Sequence, residues 1–203
     1  MYQLFFKRLF DILGSLILLP FVLLEIVVLA PIIWLTDRGP VFYNAARIGR
    51  KRKTYKMFKL RSMYVNSPDI KNADGSTYNS DSDPRVTPIG RLMRKTSLDE
   101  FPQFLNVLIG DMSFVGPRPR LPKNNKTWEE LDEEHKKVYN LRPGITGYAQ
   151  AFFRNSITQD EKFEKDAYYA DRVTLWMDIR ILLRTVWSVI ARKNINTEQS
   201  YKK

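Results

Sequence analysis

Residues 12–36 read ILGSLILLPFVLLEIVVLAPIIWLT, an apolar run in which Glu25 is the one charged position. About 20 apolar residues suffice for a helix that crosses a bilayer. The run is too long for a signal-peptide core, and no small-x-small cleavage site follows it, so it reads as a retained membrane element. Three arrangements compete. The segment enters and leaves by one face as a re-entrant hairpin, crosses once, or packs as a buried helix of a soluble domain. The last is disfavoured because residues 12–24 lack polar positions at helical spacing. Pro20 and Pro31 interrupt the run, and an interior proline costs a helix about 3 kcal/mol. Lys7 and Arg8 precede it; Arg38, Arg47, Arg50, Lys51, Arg52 and Lys53 follow it. Positive flanks stay cytoplasmic, so two basic flanks favour the hairpin, broken at Pro20, with Glu25 turned toward protein or held as the acid.

Beyond this segment the pattern becomes mixed. Gly39-Pro40 marks a turn, and residues 41–43 predict a short strand. Residues 47–53 form a basic turn, and the partial alternation of 55–63 predicts a second strand. Residues 66–84, rich in Asn, Asp and Ser, predict a loop. Asp81 and Asp83 there are turn formers before they are cation ligands. Residues 86–95 predict a short basic helix. Ser97 and Glu100 then fit a capping box at the start of the next helix, whose apolar face is Phe104, Leu105, Val107 and Leu108 and whose stop is Gly110. Gly116-Pro117-Arg118-Pro119 is a stiff loop. Residues 127–139 predict a charged, solvated helix, and 142–147 a turn. Leu175, Ile179, Leu182, Leu183, Val186 and Ile190 recur at helical spacing among Arg180, Arg184, Arg192 and Lys193. With Trp176 and Trp187 this suits a helix on a membrane surface, or equally a core-packing one. The fold class is α/β, mainly helical with short strands. Residues 1–37 form the membrane hairpin, 38–193 a compact cytosolic domain with amphipathic interface helices, and 194–203 a frayed tail.

Composition narrows the chemistry. The 203 residues hold 33 Lys and Arg against 22 Asp and Glu, a formal charge of +11. This favours an anionic partner: nucleic acid, anionic membrane or phosphorylated substrate. Cysteine is absent and His135 is the one histidine. Thiolate sites and histidine-cluster metal sites are excluded, and His135 lies in a charged helical stretch. The chemistry concentrates at Asp99 and Glu100, with Arg91, Arg94 and Lys95 just upstream and Arg118 beyond. A bare carboxylate pair repels phosphate; a divalent cation and arginines reverse that sign. The competing reading of the pair is capping alone, since acids favour the first turn of a helix.

KRLFD at residues 7–11 is followed in order by the apolar segment with Pro20, GPVFY, ARIGR and FKLRSM. Then come DPRVTPIGRLMRKTSLDEFPQFLNVLIGDMSFVGPRP and RPGITGYAQ. On this ordered set, over nearly the whole chain, the protein resembles the bacterial sugar transferases, in particular the small monotopic polyprenyl-phosphate phosphoglycosyl transferases. Many relatives place serine before the hairpin proline, where Leu19 stands here. The resemblance implies transfer of a sugar 1-phosphate from a UDP-sugar to polyprenyl (undecaprenyl) phosphate with release of UMP. This is the first membrane step of bacterial polysaccharide or glycoconjugate synthesis. It implies Asp99 as covalent nucleophile, Glu100 with Asp99 at a Mg²⁺ site, and Arg94 and Arg118 on phosphate. Its motifs also supply Lys59, Arg61 and Arg142 as candidate phosphate-binding residues. It places the enzyme at the bacterial inner membrane, its catalytic domain on the cytoplasmic face, with the UDP-sugar, the polyprenyl phosphate and membrane lipid as partners. Nucleic acid is not among them, and a homo-oligomer or docking to pathway enzymes stays open. The alternative from the charge alone is a non-catalytic basic membrane-surface adaptor or nucleic-acid binder.

Overall fold

A computed structural model describes residues 2–70, 78, 80, 82–122, 127–154 and 156–191. Helix α1 (Lys7–Asp37) carries the apolar segment. Its 31 residues make it about 46 Å long if straight. Asp11, Ser15, Val22, Leu29 and Ile33 are buried and recur every four or seven residues, so one stripe packs on the rest of the protein along the whole helix. The opposite face stays exposed and apolar, including Ile17, Phe21, Leu24, Val27 and Leu35. The expected interruption at Pro20 is not seen: Pro20 and Pro31 both lie inside one continuous helix. The lost N–H bond and the ring's clash with the preceding turn are offset where Ser15 and Val22 bury themselves on either side of Pro20.

Both ends of α1 are tied down. Near its start Asp11 accepts from Ser113 Oγ (3.0 Å) and from the Phe114 amide (2.9 Å). Lys7 pairs with Asp178, which also accepts from Tyr2 and Tyr169 hydroxyls, both at 2.6 Å. At its end Asp37 pairs with Arg61.

Strands β1 (Ala45–Ile48) and β2 (Thr54–Met57) form an antiparallel hairpin with Ala45 opposite Met57. The predicted strand at 41–43 is reduced to one bridge between Phe42 and Leu60, and the second strand ends early, with Met63 bridging Val86. Helix α2 (Pro88–Thr96) starts as its residues dictate, with Thr87 accepting from the Gly90 amide at 2.9 Å and proline in the first turn. A Cβ on Gly90 would lie 2.0 Å from the Ser62 carbonyl oxygen, so this close helix-to-chain approach requires glycine. Helix α3 (Gln103–Ile109) ends at Gly110, which takes the left-handed conformation expected of a stop.

Strand β3 (Ser113–Val115) pairs in parallel with β4 (Gly144–Thr146), and α4 (Glu133–Tyr139) lies between them in sequence. α4 is shorter than the predicted 127–139 helix because Asp132 caps it, accepting from the His135 amide at 2.8 Å. Helices α5 (Tyr148–Phe152), α6 (Gln159–Ala170) and α7 (Leu175–Ile190) follow. Val115, Leu141, Ala151, Tyr169 and Ile181 form the core they share. α7 buries Ile181 and Asp178 and exposes Trp176, Leu183, Val186 and Trp187. The predicted tail 194–203, Arg192, Lys193 and Asp81 lie outside the described residues.

Candidate active site

The acidic pair is not held by a capping box. Ser97 sits in the left-handed region (φ 59°) and closes α2 through its amide to the Arg94 carbonyl. An N-cap needs extended dihedrals, so the Ser97 side chain makes no cap bond, and Leu98–Glu100 forms a 3₁₀ turn before α3. This releases both carboxylates for other work. The capping box expected of Ser97 and Glu100 therefore does not form, although both acids lie in the first turn of the 3₁₀ segment.

Lys59 stands between them. Its Nζ is 2.9 Å from Asp99 Oδ2 and 3.1 Å from Glu100 Oε1. Backbone pairing sets this: the Leu60 amide donates to the Asp99 carbonyl at 2.9 Å, so the chain leaving β2 runs beside the dyad. Asn106 of α3 fixes the same segment, accepting from the Phe58 amide and donating to the Lys56 carbonyl, both at 2.8 Å. Asp99 is 3 % exposed at its side chain and Glu100 46 %, so one carboxylate is sheltered and the other is open to solvent. Asp99 Oδ2 has Lys59 as its ion-pair partner and accepts no other hydrogen bond among the described residues.

The cations form a ring around the pair. Lys59, then Arg118 and Arg94, pull the Glu100 carboxyl below its usual range against the cost of burial. Burial would lower the Lys59 ammonium, but Glu100 and Asp99 outweigh it and raise it. Arg94 donates to Ser62 Oγ at 2.9 Å, and burial pushes its guanidinium down while Asp99 holds it up. Arg118 follows β3, where the Gly116 amide donates to the Thr146 carbonyl at 2.9 Å. A Cβ on Gly116 would come within 2.3 Å of the Arg142 carbonyl oxygen, so the arginine loop is pressed onto the parallel strands. The exposed Arg118 side chain leaves its amide to Asp166 Oδ2 at 3.3 Å. Burial drives Asp166 up to about 6, with Arg120 and Arg118 opposing.

Two predicted phosphate residues are placed elsewhere. Arg61 is buried against the end of α1, donating to Asp37 and to the Pro40 and Ile33 carbonyls. Arg142 donates to the Gly110 carbonyl at 2.8 Å, where Arg8 also caps α3 through Val107 and Leu108 carbonyls. Both serve the α1 and α3 ends rather than the dyad. Arg47, part of the ARIGR motif and of the basic turn, is a further cation of the site: its field reaches Glu100, Arg118, Tyr43 and Tyr55, and the register of β1 on β2 places it there. His135 is half-buried, paired with Asp132 and stacked on Phe163 at 4.3 Å, with no place in the site. Asp83 is consumed by a bidentate pair with Arg85.

The site abuts the apolar helix. Leu29 and Ile33 pack with Leu60 and Met93, and Leu98 joins them. Leu60 and Leu98 adjoin Lys59 and Asp99 in sequence. Glu25 lies one turn before Leu29, within electrostatic range of Asp99, and both its carboxyl oxygens are buried without a hydrogen-bond partner.

Among the described residues no group of three or more acidic, histidine or cysteine side chains converges on a metal position. Mg²⁺ takes one or two carboxylates and completes its shell with water and substrate phosphates. Asp99, whose Oδ2 has no partner but Lys59 among the described residues, and Glu100 fit that demand.

A profile of the bacterial sugar transferase family matches residues 2–192. A galactosyl transferase, CpsE, of Streptococcus agalactiae is 38 % identical over 192 residues, which is 91 % of this chain and 42 % of the relative. A UDP-glucose:undecaprenyl-phosphate glucose-1-phosphate transferase of Klebsiella pneumoniae is 37 % identical over 194 residues, 93 % of this chain and 41 % of the relative. The chain thus spans less than half the length of these two. Against the uncharacterized sugar transferase EpsL of Bacillus subtilis, 36 % identical, 93 % of this chain meets 89 % of the relative. The ordered motifs, the dyad with its cations and these matches agree: the chain belongs to the bacterial sugar transferase family.

Proposed function

We propose that this protein transfers a sugar 1-phosphate from a UDP-sugar to polyprenyl phosphate, releasing UMP, at the cytoplasmic face of the bacterial inner membrane. The observation that carries this is the sheltered Asp99 carboxylate, paired with Lys59, in the field of Arg94, and next to Leu98, which packs with Leu29 and Ile33 in the C-terminal half of the apolar helix. A nucleophile there meets a water-soluble nucleotide sugar from one side and a lipid phosphate from the other. Relatives named as undecaprenyl-phosphate sugar phosphotransferases support the substrate classes.

In the first step an Asp99 carboxylate oxygen bonds to the phosphorus bearing the sugar. The bond from that phosphorus to the bridging oxygen breaks, and UMP leaves with that oxygen and its electron pair. In the second, an oxygen of the lipid phosphate bonds to the same phosphorus, and the Asp99–phosphorus bond breaks to restore the carboxylate. A carboxylate serves as such a nucleophile in aspartyl-phosphate chemistry, and phosphoryl transfer depends chiefly on positioning and charge neutralisation. Lys59 orients the Asp99 oxygen. Arg118, Arg94 and Arg47 neutralise the diphosphate. The acceptor is ionised near neutral pH, so no general base is needed, consistent with His135 lying outside. Bound at Asp99 and Glu100, Mg²⁺ supplies Lewis-acid polarisation of phosphate oxygens.

Helix α1 is continuous through Pro20, and its buried positions recur at intervals of seven residues or fewer between Asp11 and Ile33, so it stays in contact with the rest of the protein along its length while the opposite face, including Ile17, Phe21 and Leu24, offers an apolar surface to lipid. The adaptor or nucleic-acid reading is disfavoured because the cations converge on carboxylates instead of forming a clean basic stripe. The test is UMP release from UDP-sugars with Mg²⁺ and polyprenyl phosphate, by wild type and Asp99→Asn. Wild type turns over and the variant does not; equal turnover removes Asp99 as nucleophile.

A further inference from the structure

We propose that Glu25 of α1 binds the acceptor: held as the acid, its carboxyl donates a hydrogen bond to the phosphate of the incoming polyprenyl phosphate. This deepens the transferase reading and rests on it. Glu25 is the one charged residue between positions 12 and 36, and both its carboxyl oxygens are buried without a hydrogen-bond partner. A carboxyl in apolar surroundings is costly to keep, and a buried polar group left unpaired points to a catalytic or binding role. A metal does not account for it, because no third acid joins Asp99 and Glu100 around one position among the described residues.

Its place on α1 says what it serves. At 3.6 residues per turn Glu25 falls between two pairs of neighbours. Val22 and Leu29 on one side are buried, at 1 % and 8 %, while Phe21 and Ile32 on the other are exposed, at 62 % and 42 %. The residue therefore stands where the packed stripe meets the lipid-facing surface. The stripe leads to the dyad: Ile26 and Leu29 pack with Leu60 and Leu98, which adjoin Lys59 and Asp99 in sequence. A phosphate carried on a lipid tail crosses this border to reach Asp99, whereas a water-soluble nucleotide sugar does not.

The acid form suits that ligand. An isolated ionised carboxylate is far costlier to bury than the neutral acid, and the acid has one O–H to give. A phosphate monoester is anionic near neutral pH and offers strong acceptor oxygens. A carboxylate would repel it, but an acid bonds to it, and a hydrogen bond to an ionised acceptor is about twice as strong as a neutral one. The inward carboxyl reaches the border by rotation about its own side-chain bonds. The proton stays on Glu25 throughout, so the two transfer steps at Asp99 keep their balance.

The test takes two readings from the full chain in detergent, with Mg²⁺ and a UDP-sugar that the wild type turns over. The rate of the acceptor-free burst of UMP reads the first step, and the KM for polyprenyl phosphate reads the acceptor. Glu25→Leu raises that KM about tenfold or more, the loss of a hydrogen bond to a charged group, while the burst keeps its rate. Glu25→Met, also without a donor, repeats the result, and Glu25→Gln, which keeps an N–H donor, recovers part of the loss. Val27→Ala, exposed on the far side of α1, matches wild type in both readings. An unfolding midpoint of Glu25→Leu at or above that of wild type separates the loss from misfolding. An acceptor KM equal to wild type in the Leu and Met variants overturns the inference. A burst that slows in step with the rise in KM makes Glu25 a support of Asp99 and overturns the acceptor assignment. No UMP burst from the wild type sinks the transferase reading itself, and this inference with it.

Discussion

Lys59→Met removes the cation shared by the two carboxylates, and the structure sets the scale of the loss. The Asp99 arm is a nearly buried pair, with side chains 21 % and 3 % exposed. Removing one partner of a buried pair costs about 3–5 kcal/mol. The Glu100 arm is open at 46 % exposure and adds about 0–1 kcal/mol. Arg94 remains within range of Asp99, so the lower end applies, about 3 kcal/mol. At ~2–4 °C per kcal/mol for a chain of this size, the midpoint falls by roughly 6–12 °C at pH 7. The pH dependence follows from the shifts. Glu100 is depressed, so its contribution is present above its unfolded value of 4.5 and is lost as pH falls through the lower folded value. Lys59 is raised, so its contribution is complete below 10.5 and is lost as pH climbs through the higher folded value. The Glu100 part of the gap between wild type and variant is therefore full from about 4.5 to 10.5 and shrinks outside that range. Thermal unfolding of the detergent-purified proteins followed by tryptophan fluorescence from pH 4 to 8 measures it. Equal midpoints at pH 7, or a gap that widens on acidification, refute the reasoning.

Three further outcomes are expected. Glu25→Leu removes a buried carboxyl without partners, whose burial costs about 1–3 kcal/mol, so the unfolding midpoint rises; a fall shows that Glu25 has a partner in the folded protein. Asp178→Asn weakens the joint holding Tyr2, Lys7 and Tyr169, so hydrogen exchange of the first turns of α1 accelerates while α3 amides hold; uniform exchange across both contradicts the joint. Asp166 is raised from 3.8 to about 6, so the folded state holds its proton more tightly. Stability from this group falls as pH climbs through that window. Asp166→Asn flattens that slope of the midpoint between pH 4 and 7, and an unchanged slope argues against a buried, ionising Asp166.

The parts of the fold written in local pattern were readable in advance. The apolar run, the short basic stretch 86–95, Gly110 and the spacing of 175–190 each signal their element through near neighbours. The misreadings came from long-range packing. Ser97 to Glu100 has capping-box spacing, yet Ser97 is spent closing α2, which the next helix's sequence does not reveal. Pro20 has the character of a break, yet anchors on both sides keep α1 continuous. At the site, Asp99, Glu100, Arg94 and Arg118 were legible through clustering in one stretch. Lys59 gains its role only because Leu60 pairs with the Asp99 carbonyl, Arg47 through hairpin register. Arg61 carried the same charge as the site cations, and Asp37, 24 residues away, decides its different use.

In the proposed reaction Asp99 becomes esterified to a sugar phosphate. Rapid quench of the purified protein with a UDP-sugar labelled in the sugar, without acceptor, followed by peptide mass analysis, tests it directly. The expected result is UMP released in proportion to enzyme and label on the peptide containing Asp99, chased off by polyprenyl phosphate. Product formed in full while every peptide stays unlabelled contradicts it.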